Sequence, residues 1–418
     1  MSRGADMAYV QVPECRRLPV AVQQNVSCNY RKDGLFNRLK RSIDALDDDE
    51  KQCFSDLAAF PQRKYIRASS LLDIWVHVRR MNREKAVVLL LKFAARHLLH
   101  LTRNIWLPSI RDDCLNSFTF SQDDVQRNLA LSLVELYNRI HFRRMYVFEE
   151  QTDLYTMRQT DGYQSSEAQI VSVHTGAMTD TQLPQMDFPE AEALVLYFRK
   201  REYCIPRFLF EMEKLKILII HNDSGKRVKL NGLDNFQLPS HLQSLHLEMV
   251  KVSSLLEHCK VLGSLEKIRF SGCEGLGRDT MFDFPGLLEC YFESCRDLEE
   301  LPAGICSSIS LKVLSIADCG CLRKLPEDLD KLGSLKEMRL CGYSSLDALP
   351  PSICKFTKLE ILDVSGFFVL HEEGQSVLKE TLQKLAKIQC LRCVICDKRI
   401  KELFESNFRS GLLKFVVV

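Results

Sequence analysis

The stretch LKVLSIADCGCLRKLP (Leu311–Pro326) places apolar residues at Leu311, Leu314, Ile316, Cys319 and Leu322, offsets of +0, +3, +5, +8 and +11. The same offsets recur in LEKIRFSGCEGL from Leu265, LLECYFESCRDLEELP from Leu287, LKEMRLCGYSSLDALP from Leu335 and LEILDVSGFFVL from Leu359. The starts are 22, 24, 24 and 24 residues apart. This is the leucine-rich repeat pattern L-x-x-L-x-L-x-x-N/C-x-L, with a period of about 20–29 residues. Each unit supplies one short strand and a return segment, and buries its apolar face only by stacking on its neighbours. Less regular units read from Leu242 (LQSLHLEMV), Leu215 (LKILIIHND) and, as the first, Ala191 (AEALVLYF). LAKIQCLRCVICD and the final GLLKFVVV read as closing strands.

The register also assigns directions. Positions +0, +3 and +5 face the core, and +2, +4 and +6 face the opposite, concave side of a parallel sheet. Arg269, Tyr291 and Arg339 fall at +4 and form one lateral stripe, flanked by Glu289, Glu293 and Glu337. Tyr and Arg carry a large share of interface binding energy, so these six are the candidate partner-binding residues. The alternative for this face is contact with another domain of the same chain. Cys273, Cys295 and Cys319, one per unit at +8, read as a ladder of small buried thiols. Cys390, Cys393 and Cys396 have ligand-like spacing, but alternation along a strand turns Cys390 and Cys393 to opposite faces; no metal site is expected. Pro302, Pro326 and Pro350 each follow a leucine at +14 and turn the chain on the return segment.

The 418 residues, 46% hydrophobic and 27% charged, suit a protein of two or three domains. A net charge of +2 gives no strong pull toward nucleic acid or anionic membrane. Seventeen cysteines spread over a long chain without a secretory signal read as reduced thiols in the cytoplasm or nucleus. The most apolar run, Lys85–Leu101, is broken by Lys92, Arg96 and His97 and is no membrane span. No G-x-S-x-G, H-E-x-x-H or other catalytic constellation occurs, so no enzymatic activity is expected.

From Leu35 the apolar spacing becomes helical. A second helix starts at Asp47–Asp49, and a third over ASSLLDIWVHVRR is expected to be capped by Ser69 or Ser70. A fourth is expected over EKAVVLLLKFAARHLLHL. Short helices in this order suit a winged-helix domain. DNA binding through the third helix is disfavoured, because packing residues claim most of it and Asp73 stands where phosphate contact wants a base.

LKRSIDALDDDEKQCFSDLAAFP followed by IRASSLLDIWV resembles the winged-helix segment of plant nucleotide-binding leucine-rich-repeat immune receptors. Lys51, Cys53, Phe54, Phe60, Pro61 and Trp75 stand at the matching places. CFSDLAAFP with LLDIWV, and later MEKLKILIIHND, FPEAEALVLYF and LRCVICD, are most similar to the helper subclass with an RPW-type coiled coil. The resemblance runs from about Leu35 to the C-terminus. It implies a defence-response protein with protein partners, such as immune receptors or immune signalling adaptors. In the intact family ADP is held partly by a histidine in a Met-His-Asp or Gln-His-Asp motif. Here the aligned residues are Gln122, Asp123 and Asp124, so a carboxylate replaces the histidine that would face phosphate. No G-x-x-x-x-G-K-[ST] loop occurs; the Gly225-Lys226 pair lacks its other glycine and its hydroxyl.

The expected molecule is therefore multidomain, α plus α/β: residues 1–34 unassigned, 35–150 a winged-helix (distal NB-ARC) region, 151–190 a linker and first strand, and 191–418 the repeats. It is expected to be a truncated relative without a bound cofactor, its autonomous nucleotide switching lost. The alternatives are an ADP-binding module completed in trans, a non-immune repeat scaffold such as a ubiquitin-ligase substrate receptor, and an incomplete gene model.

Overall fold

The computed structural model describes residues 28–103, 118–140, 145–149, 167–175, 187–232, 238–257, 262–280, 282–342, 346, 350–365, 388, 390–398, 401–402 and 414–417. Of the expected linker and first strand, 151–190, only 167–175 and 187–190 lie among them. In chain order the first half carries α1 (Cys28–Asp44), α2 (Asp48–Ser55), β1 (Ile66–Arg67), α3 (Ala68–His77), α4 (Arg83–Ala95), β2 (His100–Arg103), β3 (Phe118–Ser121) and α5 (Asp124–Ile140). β1, β3 and β2 form a small antiparallel sheet in that order. The helices with this sheet make the winged-helix arrangement.

Local chemistry explains the helix ends. Asp47 caps α2 in a reciprocal box with Glu50, the two main-chain nitrogens each bonded to the other residue's carboxylate. Cys53, Phe54, Phe60 and Trp75 are all buried. Phe93 meets Phe54 and Trp75 edge-on, at 5.7 and 5.8 Å between ring centres. Two expectations need correction. α3 has Arg67 at its cap position and no side-chain cap. Strand β1 feeds directly into it, so Ser69 and Ser70 are already inside the helix and buried. α4 stops at Ala95, where His97 turns left-handed (φ 57°) and the chain leaves as β2 rather than continuing helical to Leu101.

Among the described residues the second half holds one parallel sheet of twelve strands. These are β4 (Met145–Glu149), β5 (Ile170–Thr175), β6 (Ala193–Phe198), β8 (Ile217–Asn222), β10 (Ser244–Glu248), β12 (Lys267–Ser271), β13 (Glu289–Glu293), β14 (Val313–Ala317), β15 (Glu337–Cys341), β16 (Ile361–Asp363), β17 (Cys393–Cys396) and β18 (Lys414–Val417). Beside its first units lies a narrow sheet of β7 (Glu202–Cys204), β9 (Val228–Asn231) and β11 (Val250–Lys251), with α6 (Ser253–Glu257) following. Every +0, +3 and +5 residue of the five regular units is buried in a single cluster, as are Cys273, Cys295 and Cys319. Residue +7 is left-handed in five successive units: Met249, Gly272, Ser294, Asp318 and Gly342, with φ between 52° and 88°. The backbone reversal after each strand demands this, and three non-glycine residues accept its strain.

The sheet begins at Met145, ahead of the start expected at Ala191. β4 and β5 carry Met, Val, Ile and Phe in place of leucine, and about twenty residues separate them, so they escape the leucine template.

Candidate functional site

β5, β6 and β8 are buried almost throughout. Val171, Val173, Leu194, Leu196, Phe198, Leu218 and Ile220 enter the solenoid core. Ile170, Ala193, Val195, Tyr197, Ile217 and Ile219, on the opposite face, share a cluster with Phe54, Leu71, Trp75 and the other core residues of the helical half. The helical half therefore sits on the open face of the sheet.

From β10 onward the same face turns polar, and α3 meets it with Asp73. This carboxylate is almost wholly enclosed. Oδ1 lies 2.9 Å from Lys267 Nζ, and Oδ2 accepts from Ser244 Oγ (2.8 Å) and His246 Nε2 (2.7 Å). His246 Nδ1 lies 3.2 Å from Ser70 Oγ, so a neutral ring protonated at Nε2 satisfies both neighbours. Burial alone would raise the pKa of Asp73, but Lys267 and the His246 hydrogen bond hold it well below the usual carboxylate range. Burial lowers the pKa of His246 against the pull of Asp73, which keeps the ring neutral. Burial likewise lowers Lys267.

A chain of ion pairs continues across β12 and β13. Arg67 pairs with Glu293, which also binds Arg269. The Arg269 guanidinium lies 3.9 Å from the Tyr291 ring centre, and Tyr291 Oη donates to Glu289 at 2.8 Å. Glu289 is 3.9 Å from Lys267 and 3.8 Å from Arg83. The register places His246, Arg269, Tyr291, Ser315 and Arg339 in one lateral row, as expected. Their exposure is the correction. Arg269, Tyr291 and Arg339 are 2%, 2% and 6% accessible, and Glu293 is 3%. Glu289 and Glu337 are half-buried, the latter paired with Arg339. Arg67, paired with Glu293, and Arg83, near Glu289, bring the helical half onto this face.

A second polar latch lies at the first strands. Arg127 donates to Ala58 O at 2.9 Å and pairs with Glu149. Glu149 is 2.9 Å from His174 Nδ1; His174 Nε2 and Ser172 Oγ reach Ala59 O at 3.0 and 2.7 Å. Burial also lowers the pKa of His174, against the raising effect of Glu149. Ser172–His174–Glu149 and Ser70–His246–Asp73 both have hydroxyl–imidazole–carboxylate connectivity. Neither is disposed for nucleophilic attack: Ala59 O takes a hydroxyl proton in the first, and in the second Lys267 already neutralises the carboxylate. All of these hydroxyls are buried. Both clusters fasten the helical half to the sheet.

The Gln122-Asp123-Asp124 segment builds the start of α5. Gln122 Nε2 donates to Leu57 O (2.9 Å) and Phe60 O (2.7 Å). Asp123 caps the helix reciprocally with Gln126, both bonds 2.8 Å, and Gln126 reaches His97 O at 2.8 Å. The His100 hydrogen bond lowers the pKa of Asp123. Asp124 pairs with Arg63. The residue in the histidine's place is thus engaged in capping. Cys53, Cys273, Cys290, Cys295, Cys306, Cys319, Cys321, Cys341, Cys390 and Cys396 are free thiols. Cys396 lies in the core with Cys390 packed against it, and Cys393 is on the sheet's other face. Among the described residues no group of three or more His, Cys, Asp or Glu could hold a metal, and no helix is long and apolar enough to cross a membrane.

The signal for this interface was present in the sequence. ALVLYF and ILII are unbroken apolar runs, and strands that read this way are covered on both faces. Asp73 gave no such signal, since its partners lie more than 170 residues away.

Fold and interface define a leucine-rich-repeat solenoid that carries a winged-helix domain on its open face. The chain is 33% identical over 286 residues to the probable disease resistance protein At4g33300 of Arabidopsis thaliana, covering 67% of this chain and 35% of that protein. It is 32% identical to the disease resistance protein ADR1 of the same plant, covering 68% and 37%. With the probable disease resistance protein At5g66890 it shares 30% identity over 288 residues, 67% of this chain and 68% of that protein. The chain belongs to the plant disease resistance protein family, and its likeness to ADR1 fits the helper subclass. It spans about a third of the length of the first two relatives. No family model matches. Among solved structures, the repeat domain of the type III effector XopL aligns with a TM-score of 0.40 at 19% identity, over 72% of this chain and 97% of that one.

Proposed function

We propose that this is a non-enzymatic, intracellular defence protein that works through contacts with other proteins, its helical half fastened to the repeats, without nucleotide switching of its own. The burial of Asp73 between Lys267, His246 and Ser244 carries the reading, because it ties α3 to two repeat strands with charge-assisted bonds. A missing phosphate loop and an Asp123 engaged in capping support the absence of autonomous ADP binding. Family membership supports the defence role and protein partners, with immune receptors or signalling adaptors as the class.

Two measurements test it. Calorimetry of the purified chain with ADP and with ATP should give no binding heat; one-to-one binding in the low micromolar range contradicts the nucleotide-free reading. Expression in plant leaf should change a defence output, and Asp73→Asn should alter that output at equal protein level. Wild type and variant both matching an empty vector would contradict the defence role.

A further inference from the structure

We propose that the rim at the ends of β6, β8 and β10 binds a carboxylate-rich segment of a protein partner, and does so in the docked arrangement of the two halves. Cations cluster after three successive strands: Arg199-Lys200-Arg201 after β6, Lys226-Arg227 and Lys229 after β8, and Lys251 after β10. In the narrow sheet Lys229 stands opposite Lys251 on one side and Glu202 on the other. Like charges directly opposite destabilise a sheet, so nothing in the packing favours this pair.

The available counter-charges are already shared. Asp223 pairs with Lys64 and lies 4.0 Å from Arg199. Glu274 serves Arg227 at 3.4 Å and Lys251 at 3.7 Å. Arg201, Lys226 and Lys229 are exposed and have no ion pair among the described residues. Lys226 is held on a fixed turn: Asn222 Nδ2 donates to Lys226 O at 2.6 Å and to Ser224 Oγ at 3.0 Å, and Gly225 is left-handed at φ 73°.

The occupant follows from extent and surroundings. Three units at about 4.8 Å per strand span about 10 Å, the length of three or four residues of extended chain. Beyond them the rim reverses sign at Glu274, Asp297 and Glu299, and the whole chain carries only +2. A continuous polyanion or a bilayer would meet those acids, whereas a short acidic segment fits between them. The Lys64–Asp223 pair joins the helical half to this rim, so Lys64 contributes only when the halves are docked. A ligand that prefers this composite surface shifts the molecule toward the docked state. This stands apart from the defence reading, because it needs only the charge pattern and the docking.

The test uses the full chain and a fluorescein-labelled decapeptide of alternating Glu and Asp. Anisotropy should show binding that weakens from about 50 to about 200 mM salt. The triple variant R201E/K226E/K229E should weaken it roughly tenfold or more, at unchanged circular dichroism, since all three side chains are exposed. The peptide should also slow amide exchange in α3. Three results overturn the proposal: equal affinity in the triple variant, tighter binding of a single-stranded RNA decamer or of phosphatidylserine vesicles, or α3 exchange that the peptide leaves unchanged.

Discussion

The two ends of the sheet's open face fasten to the helical half by different physics. Over β6 and β8 the contact is apolar, with Val195, Ile217 and Ile219 joining a core that includes Trp75 and Phe54, beside the Ser172–His174–Glu149 latch of β5 and β4. Over β10, β12 and β13 it is ionic, built around Asp73, Lys267, Arg269 and Glu293. Apolar burial is non-directional and scales with area. Enclosed ion pairs add little net stability but penalise any arrangement that leaves one partner alone. The apolar face of β6 and β8 therefore supplies adhesion, and the later strands fix which residues of α3 meet which strand.

The largest effect that could break this comparison comes from placing a charge in the adhesive end. Val195→Asp buries a carboxylate among apolar side chains and should cost more than about 4 kcal/mol, read as lost or strongly reduced cooperative unfolding. A tolerant Val195→Asp would mean that the apolar contact is not sustained in solution.

Acid should loosen the polar contacts at both ends more gently. His246 faces Asp73, Ser70, Ser244, Lys267 and Arg269, and His174 faces Glu149, Arg127, Ser172 and Ala59 O. Both rings have folded-state pKa values lowered from 6.5, so below that pH the unfolded chain binds more protons. Stability is then present above about pH 6.5 and falls as pH drops, by at most about 1.4 kcal/mol per pH unit for each ring. Asp73, lowered from 3.8, adds a loss in the same direction at still lower pH. Denaturant titrations of wild type and His246→Gln at pH 7 and pH 5.5 check this: the acid loss should shrink in the variant.

The smallest effect has the opposite sign. Asp363 lies beyond the Asp73 cluster, and burial pushes its pKa up to about 6, against its hydrogen bonds from Ser365. A raised carboxylate pKa means that stability present below 3.8 is lost as pH rises toward 6. Asp363→Asn keeps an acceptor for Ser365 and should stabilise the protein at pH 7.5 by on the order of 1 kcal/mol. Equal or lower stability would show that this carboxylate is not held against its charge.

Legibility divides along the same line. The leucine offsets located the core face and the strand register from Leu265 to Leu359, because a repeated pattern reinforces itself over every unit. The aromatic core at Phe54, Phe60 and Trp75 was equally readable from family wording. Missed were β4 and β5, which use β-branched and aromatic residues at the stack positions. Also missed was the burial of Arg269, Tyr291 and Arg339. A sequence shows that a +4 residue leaves the solenoid core, but what waits on the other side depends on a docking contact between distant segments. Continuous apolar runs in β6 and β8 were the available clue to cover; the partner identities, such as Asp73 with Lys267, had none.

The docking itself is tested most directly by a double-mutant cycle between Asp73 and Lys267, read as the opening free energy of α3 amides by native-state hydrogen exchange. Each single change, Asp73→Asn or Lys267→Met, strands a buried charge and should lower that free energy by about 3 kcal/mol or more. The double variant removes both charges and should recover much of the loss, a coupling of at least about 1.5 kcal/mol. Additive single effects, with coupling under about 0.5 kcal/mol, would mean that α3 and the repeat strands do not meet through this pair in solution.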